Sequence, residues 1–208
     1  MDFAFEDDFC TDNYSVKNQA ETVGFNEKWE FAEFSKIHAG HGTRGGSNFM
    51  TYSHPDKSPK VTGGTNAKGA IESIAVSDGM TFRCGLSEAE ANIRTALILR
   101  KLLLEAGFDV LMIRDSDDVQ LDNVARTVIS NNCADIHIAI HFDGDGKKID
   151  KGVFYCGIPD ELKSLLKNVE KHSKESERLG SCIVDGLRQQ GMKMYDSGRA
   201  EIDLTQTS

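Results

Sequence analysis

Ala134-Asp135-Ile136-His137-Ile138-Ala139-Ile140-His141 reads as a β-strand that ends on a histidine. Ile136, Ile138 and Ile140 alternate with His137, Ala139 and His141, and a period of two sends the two sets to opposite faces. The segment before it is helical in pattern. Leu121, Val124, Ala125, Val128 and Ile129 form one apolar face, and Asp117 and Asp118 can cap a helix over about 119–132. Phe108 to Arg114 reads as a buried strand. Ahead of it, Leu97, Leu99, Leu102, Leu103 and Ala106 mark a helix over 88–106, with Ser87 and Glu90 as a capping box and Gly107 as its stop. On the other side, Gly152 to Cys156 is a short strand. Residues 160–190 are helical, as one or two helices, with Leu162, Leu165, Leu166 and Val169, then Leu179, Ile183 and Leu187 inward. Phe34-Ser35-Lys36-Ile37-His38 supplies the first strand. Strands alternating with helices define the α/β class: a single domain with a mostly parallel twisted sheet and helices on both faces.

The rest of the chain is less regular. Residues 1–33 are acidic and aromatic without a clean period and are expected to be an N-terminal extension of a domain spanning 34–208. The Gly/Ser/Thr/Asn-rich stretch from Thr43 to about Gly69 reads as a long loop. Ile71–Ser77 and Met80–Cys84 are expected to pair as a hairpin across Asp78-Gly79. The balance of 24 basic against 33 acidic residues argues against a nucleic-acid partner, which would call for a basic excess. No apolar run reaches the roughly 18 residues a membrane span needs. Met1-Asp2-Phe3-Ala4-Phe5-Glu6 lacks the basic and apolar regions of an export signal, so none is expected in this chain. Five cysteines without a CxxC pair exclude a zinc ribbon; Cys133, Cys156 and Cys182 have apolar neighbours and are expected to be buried and inert.

In a parallel sheet, ligand sites lie at the carboxyl ends of strands. His41 follows the first strand in Ala39-Gly40-His41-Gly42, His141 ends the central one, and Glu88 opens the first long helix. All three can share one rim. Two imidazoles and one carboxylate suit a catalytic zinc site, which keeps its fourth position open for water. At a helix start, Glu88 also meets the positive end of the helix dipole, which favours its ionised form. His38 and His137 stand where they can support the ligands from behind. His54 and His172 read as surface residues. Asp143-Gly144-Asp145-Gly146 reads as a polar turn rather than a calcium loop, because the 12-residue pattern is not completed.

The order of these segments resembles the zinc-dependent N-acetylmuramoyl-L-alanine amidases of the Amidase_3 type over about residues 36–200. Ala39-Gly40-His41-Gly42 matches the family's AGHG, and Glu88 with Asn92 matches its E-x-x-x-N helix start. Arg114 closes a V-x-x-x-R strand, Ala134-Asp135 through His141 matches an AD-x-x-x-S-I-H strand, and Gly152-Val153 opens a G-V-x-x-x-Y strand. The resemblance implies hydrolysis of the amide joining N-acetylmuramic acid to L-alanine in peptidoglycan. It implies Zn2+ as cofactor, with His41, Glu88 and His141 as its ligands. It also implies a monomer acting on the cell wall, outside the cytoplasm of a bacterium or as a phage lysin.

Three departures from the family pattern stand out. His38 occupies the place of an acidic residue before AGHG. The stretch at about 43–85 is longer than usual and reads as an insertion that shapes or covers the substrate groove. The family's catalytic glutamate belongs to a P-A-V-L-V-E-x-G-F segment that is not found, the chain ending in Glu201-Ile202-Asp203-Leu204-Thr205-Gln206-Thr207-Ser208. Either the chain stops short of that strand, which is the expectation, or the strand has diverged and Glu201 takes the catalytic role. Two other functions fit the same residues: a zinc peptidase of different bond specificity, and a catalytically impaired domain that binds peptidoglycan or regulates its turnover.

Overall fold

A computed structural model describes residues 34–63, 67–144, 150–160, 163 and 167–201. The expected extension at 1–33, and Leu162, Leu165 and Leu166 of the helical stretch expected over 160–190, lie outside the described residues. The elements in chain order are β1 (Phe34–Ala39), a 3-10 turn (Gly46–Asn48), β2 (Met50–Tyr52), β3 (Glu72–Ile74), α1 (Glu88–Glu105), β4 (Asp109–Met112), α2 (Asn123–Cys133), β5 (Ile136–Ile140), β6 (Val153–Gly157), α3 (Lys167–Gln189) and β7 (Met194–Glu201). The expected α/β class is what the chain adopts.

β1 is the centre of a three-stranded parallel sheet in the order β4-β1-β5. Ile37 stands beside Met112 on one side and Ile138 on the other. One face of this sheet is apolar. Ile37, Ala39, Val110, Met112 and Ile140 pack against Ile93, Ala96, Leu99 and Leu103 of α1 to form the core. The opposite face is polar. Lys36 and His38, both fully buried, meet α2 there, with the Lys36 ammonium 3.5 Å from the Arg126 carbonyl and an Arg126 guanidinium nitrogen 2.7 Å from His38 Nε2. This explains why β1 lacks the continuous apolar run usual for a doubly covered strand. Its α2-facing positions carry polar groups that find partners on Arg126.

α1 matches its predicted span almost residue for residue. Ser87 Oγ accepts from the Glu90 N–H at 3.2 Å, and the chain leaves through Gly107 in the left-handed region. α2 begins later than predicted, because the cap is Asp122, whose Oδ1 accepts from the Ala125 N–H at 2.7 Å. Asp118 instead takes the Arg44 N–H. The expected hairpin across Asp78-Gly79 does not form. β3 pairs antiparallel with β2, inside the stretch read as loop. Residues after Gly79 fold onto the start of α1 through the Glu88 N–H to Met80 carbonyl bond and a bridge between Thr81 and Ser87.

β6 and β7 form a separate parallel pair, Val153 opposite Met194 and Gly157 opposite Glu201. β7 was not anticipated from the sequence. Its residues alternate poorly and include Gly198, and α3 meets the pair with apolar as well as polar groups: buried Val184 lies beside Gly198, and Gly180 lies against the Tyr155 ring. Tyr155 OH donates to Glu177 at 2.7 Å, and Arg199 donates twice to the same carboxylate at 2.9 Å. His54, expected at the surface, is buried, whereas Cys133 and Cys182 are exposed, contrary to their apolar sequence neighbours. Cys133 ends α2 at its solvent side. Cys84 is disulfide-bonded. No helix among the described residues is long and apolar enough to cross a membrane.

Candidate metal centre

The carboxyl ends of β1 and β5 and the first turn of α1 bring His41, Glu88 and His141 together. His41 Nε2 lies 2.8 Å from Glu88 Oε1, His141 Nδ1 lies 3.1 Å from the same oxygen, and the two ring nitrogens are 3.2 Å apart. A tetrahedral zinc site with bonds of about 2.0–2.2 Å separates its donors by about 3.3–3.6 Å, so these three need spread by only a few tenths of an ångström. Their orientation fits as well. His41 Nδ1 is 2.8 Å from the Ser77 carbonyl, which can only accept, so the ring proton sits on Nδ1 and Nε2 presents its lone pair. A lone pair facing a carboxylate oxygen at 2.8 Å calls for a positive charge between them, either a proton or a metal ion. The donor set therefore fits a divalent ion of borderline softness.

Backbone geometry makes this convergence possible. His41 itself adopts φ +61°, a strained conformation for a non-glycine residue, which turns its ring into the site. Gly40 passes directly under the His141 ring, where a Cβ would meet ring atoms at 2.3–2.7 Å. Gly79, at φ +78°, lets the backbone pass between Glu88 and His41, where a Cβ would lie 2.8 Å from both.

The Glu88 carboxylate is buried and fully engaged. Oε2 accepts from the Met80 N–H at 2.9 Å, and Oε1 accepts from the Phe142 N–H at 3.0 Å. Burial alone would raise its pKa, but the bonds from His141 and His41 and the Met80 amide outweigh it and hold the carboxyl well below the usual range. The side chains of His41 and Glu88 are largely covered, whereas that of His141 is 29% exposed, so the cluster opens to solvent on the His141 side.

His38 and His137 lie behind this cluster. Their rings stack at 5.8 Å, and His38 meets His141 edge-on at 6.2 Å. Because Arg126 donates to His38 Nε2, the His38 proton is on Nδ1. Burial, reinforced by Arg126, keeps its pKa well below the ordinary 6.5, and burial pulls His137 down to about 4. Both rings are thus neutral at physiological pH; His38 meets the cluster through the His141 ring, and His137 stacks behind His38. Glu201 ends β7, and its carboxylate accepts from Arg199 at 2.8 Å.

Sequence reasoning missed Ser77 and Met80, which contribute backbone groups that no residue-type pattern reveals. The Asp78-Gly79 turn signal was the one pointer to them. Both belong to the stretch read as an insertion, which thus contacts His41 and Glu88 directly.

An α/β domain that gathers two histidines and a carboxylate on an open rim of its parallel strands has the architecture of a metal-assisted hydrolase. The chain belongs to the N-acetylmuramoyl-L-alanine amidase family, whose model matches residues 36–205, and it is an amidase. Two of the solved structures that share the fold are amidases. One is the apo form of the N-acetylmuramyl-L-alanine amidase Ami1 from Mycobacterium abscessus (TM-score 0.62, 17% identity, 84% of this chain and 77% of that one). The other is Ami1 from Mycobacterium smegmatis (TM-score 0.55, 14% identity, 84% and 75%). No curated protein matches the sequence.

Proposed function

We propose that this amidase is zinc-dependent and cleaves the bond between the lactyl group of N-acetylmuramic acid and L-alanine in peptidoglycan. The observation that carries this reading is the convergence of His41 Nε2, Glu88 Oε1 and His141 Nδ1 within 3.2 Å in a chain of the amidase family. These three side chains would hold the ion. Zinc bound there supplies Lewis-acid polarisation of the scissile carbonyl and brings the acidity of water to a pKa of about 7. The chain's own groups do the rest of the positioning. The Ser77 carbonyl fixes the His41 tautomer, the Met80 and Phe142 amides hold Glu88 ionised and oriented, and the exposed side of His141 admits substrate.

A carboxylate must take a proton from water and return it to the leaving amine, a contribution of roughly 10²- to 10⁴-fold. Glu201 is the proposed base among the described residues, in competition with its ion pair to Arg199. The 43–85 stretch is proposed to shape the substrate groove, since Ser77 and Met80 already touch His41 and Glu88. The Cys84 disulfide supports action outside the reducing cytoplasm, in keeping with a cell-wall substrate.

Incubating the zinc-loaded chain with purified peptidoglycan tests the proposal. New L-alanine amino termini support it. Other peptide ends assign a different zinc peptidase activity, and pelleting with the wall without cleavage assigns a binding or regulatory role.

A further inference from the structure

Arg114 lies two residues past the end of β4 and is 2% exposed. Its guanidinium faces backbone carbonyls. Nε donates to Ala39 at 3.0 Å, one terminal nitrogen donates to Gly40 at 2.9 Å and Ala89 at 2.6 Å, and the other donates to Ser116 at 2.9 Å. The positions of these acceptors are informative. Ala39 and Gly40 lead into His41, and Ala89 follows Glu88. One rigid fork therefore bridges the backbone beside one donor of the cluster to the backbone beside another. Asn92, also fully buried, adds a second bond to the Gly40 carbonyl at 3.2 Å.

The geometry points to Arg114 as a positioning residue that sets the separation of His41 from Glu88, and we propose this role for it. The inference deepens the metal-site reading and rests on it. His41 sits in a strained turn at φ +61°, a conformation that persists only where its surroundings over-determine it. The Arg114 bonds to the two preceding carbonyls supply that restraint. A lysine could keep the charge but not the planar fork, so it could reach only part of this carbonyl set. These four Arg114 bonds all go to backbone carbonyls, and through them the side chain acts on the site.

The test compares the full chain with Arg114→Lys and Arg114→Met. Zinc dissociation constants are read by competition with a chelator, folding by thermal melting, and kcat and KM on peptidoglycan fragments. For a residue that orients metal ligands, the expected loss is about 10- to 100-fold in zinc affinity. It should appear in the Lys variant while that variant still melts cooperatively, with kcat falling and KM little changed. Should Arg114→Met fail to fold, Arg114→Lys carries the result by itself. Zinc affinity within twofold of wild type in a folded Arg114→Lys protein would overturn the positioning role and leave Arg114 a support of the fold. Equally weak zinc binding by wild type and His41→Ala would overturn the metal reading itself, and this inference with it.

Discussion

Gly40→Ala is the substitution whose effect follows most directly from the geometry. Gly40 does not occupy a left-handed conformation, so an alanine is compatible with its backbone and the consequence is steric. A Cβ there would stand 2.3 Å from His141 Cε1 and 2.5 Å from Nε2. Ordinary carbon contacts begin near 3.5 Å, so the ring must move by about 1 Å. The Gly40 carbonyl is held by Arg114 and Asn92 and its N–H by the Ile140 carbonyl at 3.1 Å, so the backbone resists yielding instead. Metal sites tolerate about 0.2 Å in ligand position, and a 1 Å misplacement of a reacting group costs on the order of 10²-fold in rate. Gly40→Ala should weaken zinc binding and lower kcat/KM by about that factor, while overpacking costs about 1–3 kcal/mol of stability. Chelator competition and urea unfolding measure the two effects. A double-mutant cycle sharpens the assay, because in a His141→Ala background the clash partner is gone and the added alanine should be nearly neutral. Wild-type zinc affinity in Gly40→Ala, or an equal stability loss in both backgrounds, would refute the reasoning.

Three further outcomes are expected. Glu177→Gln removes the bidentate partner of Arg199; because the pair is partly exposed, it should cost only about 1 kcal/mol at pH 7, lowering Tm by about 2–4 °C. The Arg199 hydrogen bonds, opposed by burial and aided by Tyr155, depress the Glu177 pKa from 4.5 to about 2, so its stabilisation is complete above pH 4.5 and fades as pH falls toward 2. Urea titrations at pH 7 and pH 2.5 check this, and an undiminished difference at the lower pH would contradict it. Glu201→Gln should leave zinc content unchanged and lower kcat at least 100-fold if Glu201 acts as the base, whereas turnover within tenfold of wild type would assign it to the Arg199 ion pair alone. Ile37→Ala, at the fully buried centre of the sheet, should cost about 2–5 kcal/mol in denaturant unfolding, and a loss under 1 kcal/mol would contradict the core assignment.

Much of this architecture was legible because its signals are local. α1 carries its own cap, stop and apolar face, and β5 carries a strict alternation. His41, Glu88 and His141 sit at element boundaries, where chain order alone places them on one rim. What escaped reading depends on partners distant in sequence. β2 and β3 are three residues each and have no period to detect. β7 buries only Gly198 and ties Arg199 into the Glu177–Tyr155 network, so its pattern does not announce a strand. The α2 boundary moved because Asp118 serves Arg44 while Asp122 takes the cap. His54 is buried without any apolar neighbour pattern to predict it. Backbone contributions from Ser77 and Met80 could not be read from side-chain identity at all.

The central claim is that His41, Glu88 and His141 together hold one zinc ion. Equilibrium dialysis against zinc, followed by elemental analysis, tests it in the wild type and in His41→Ala, with thermal melts confirming that both remain folded. The account predicts close to one zinc per wild-type chain and a small fraction of that in His41→Ala. Equal zinc in the two proteins would contradict it.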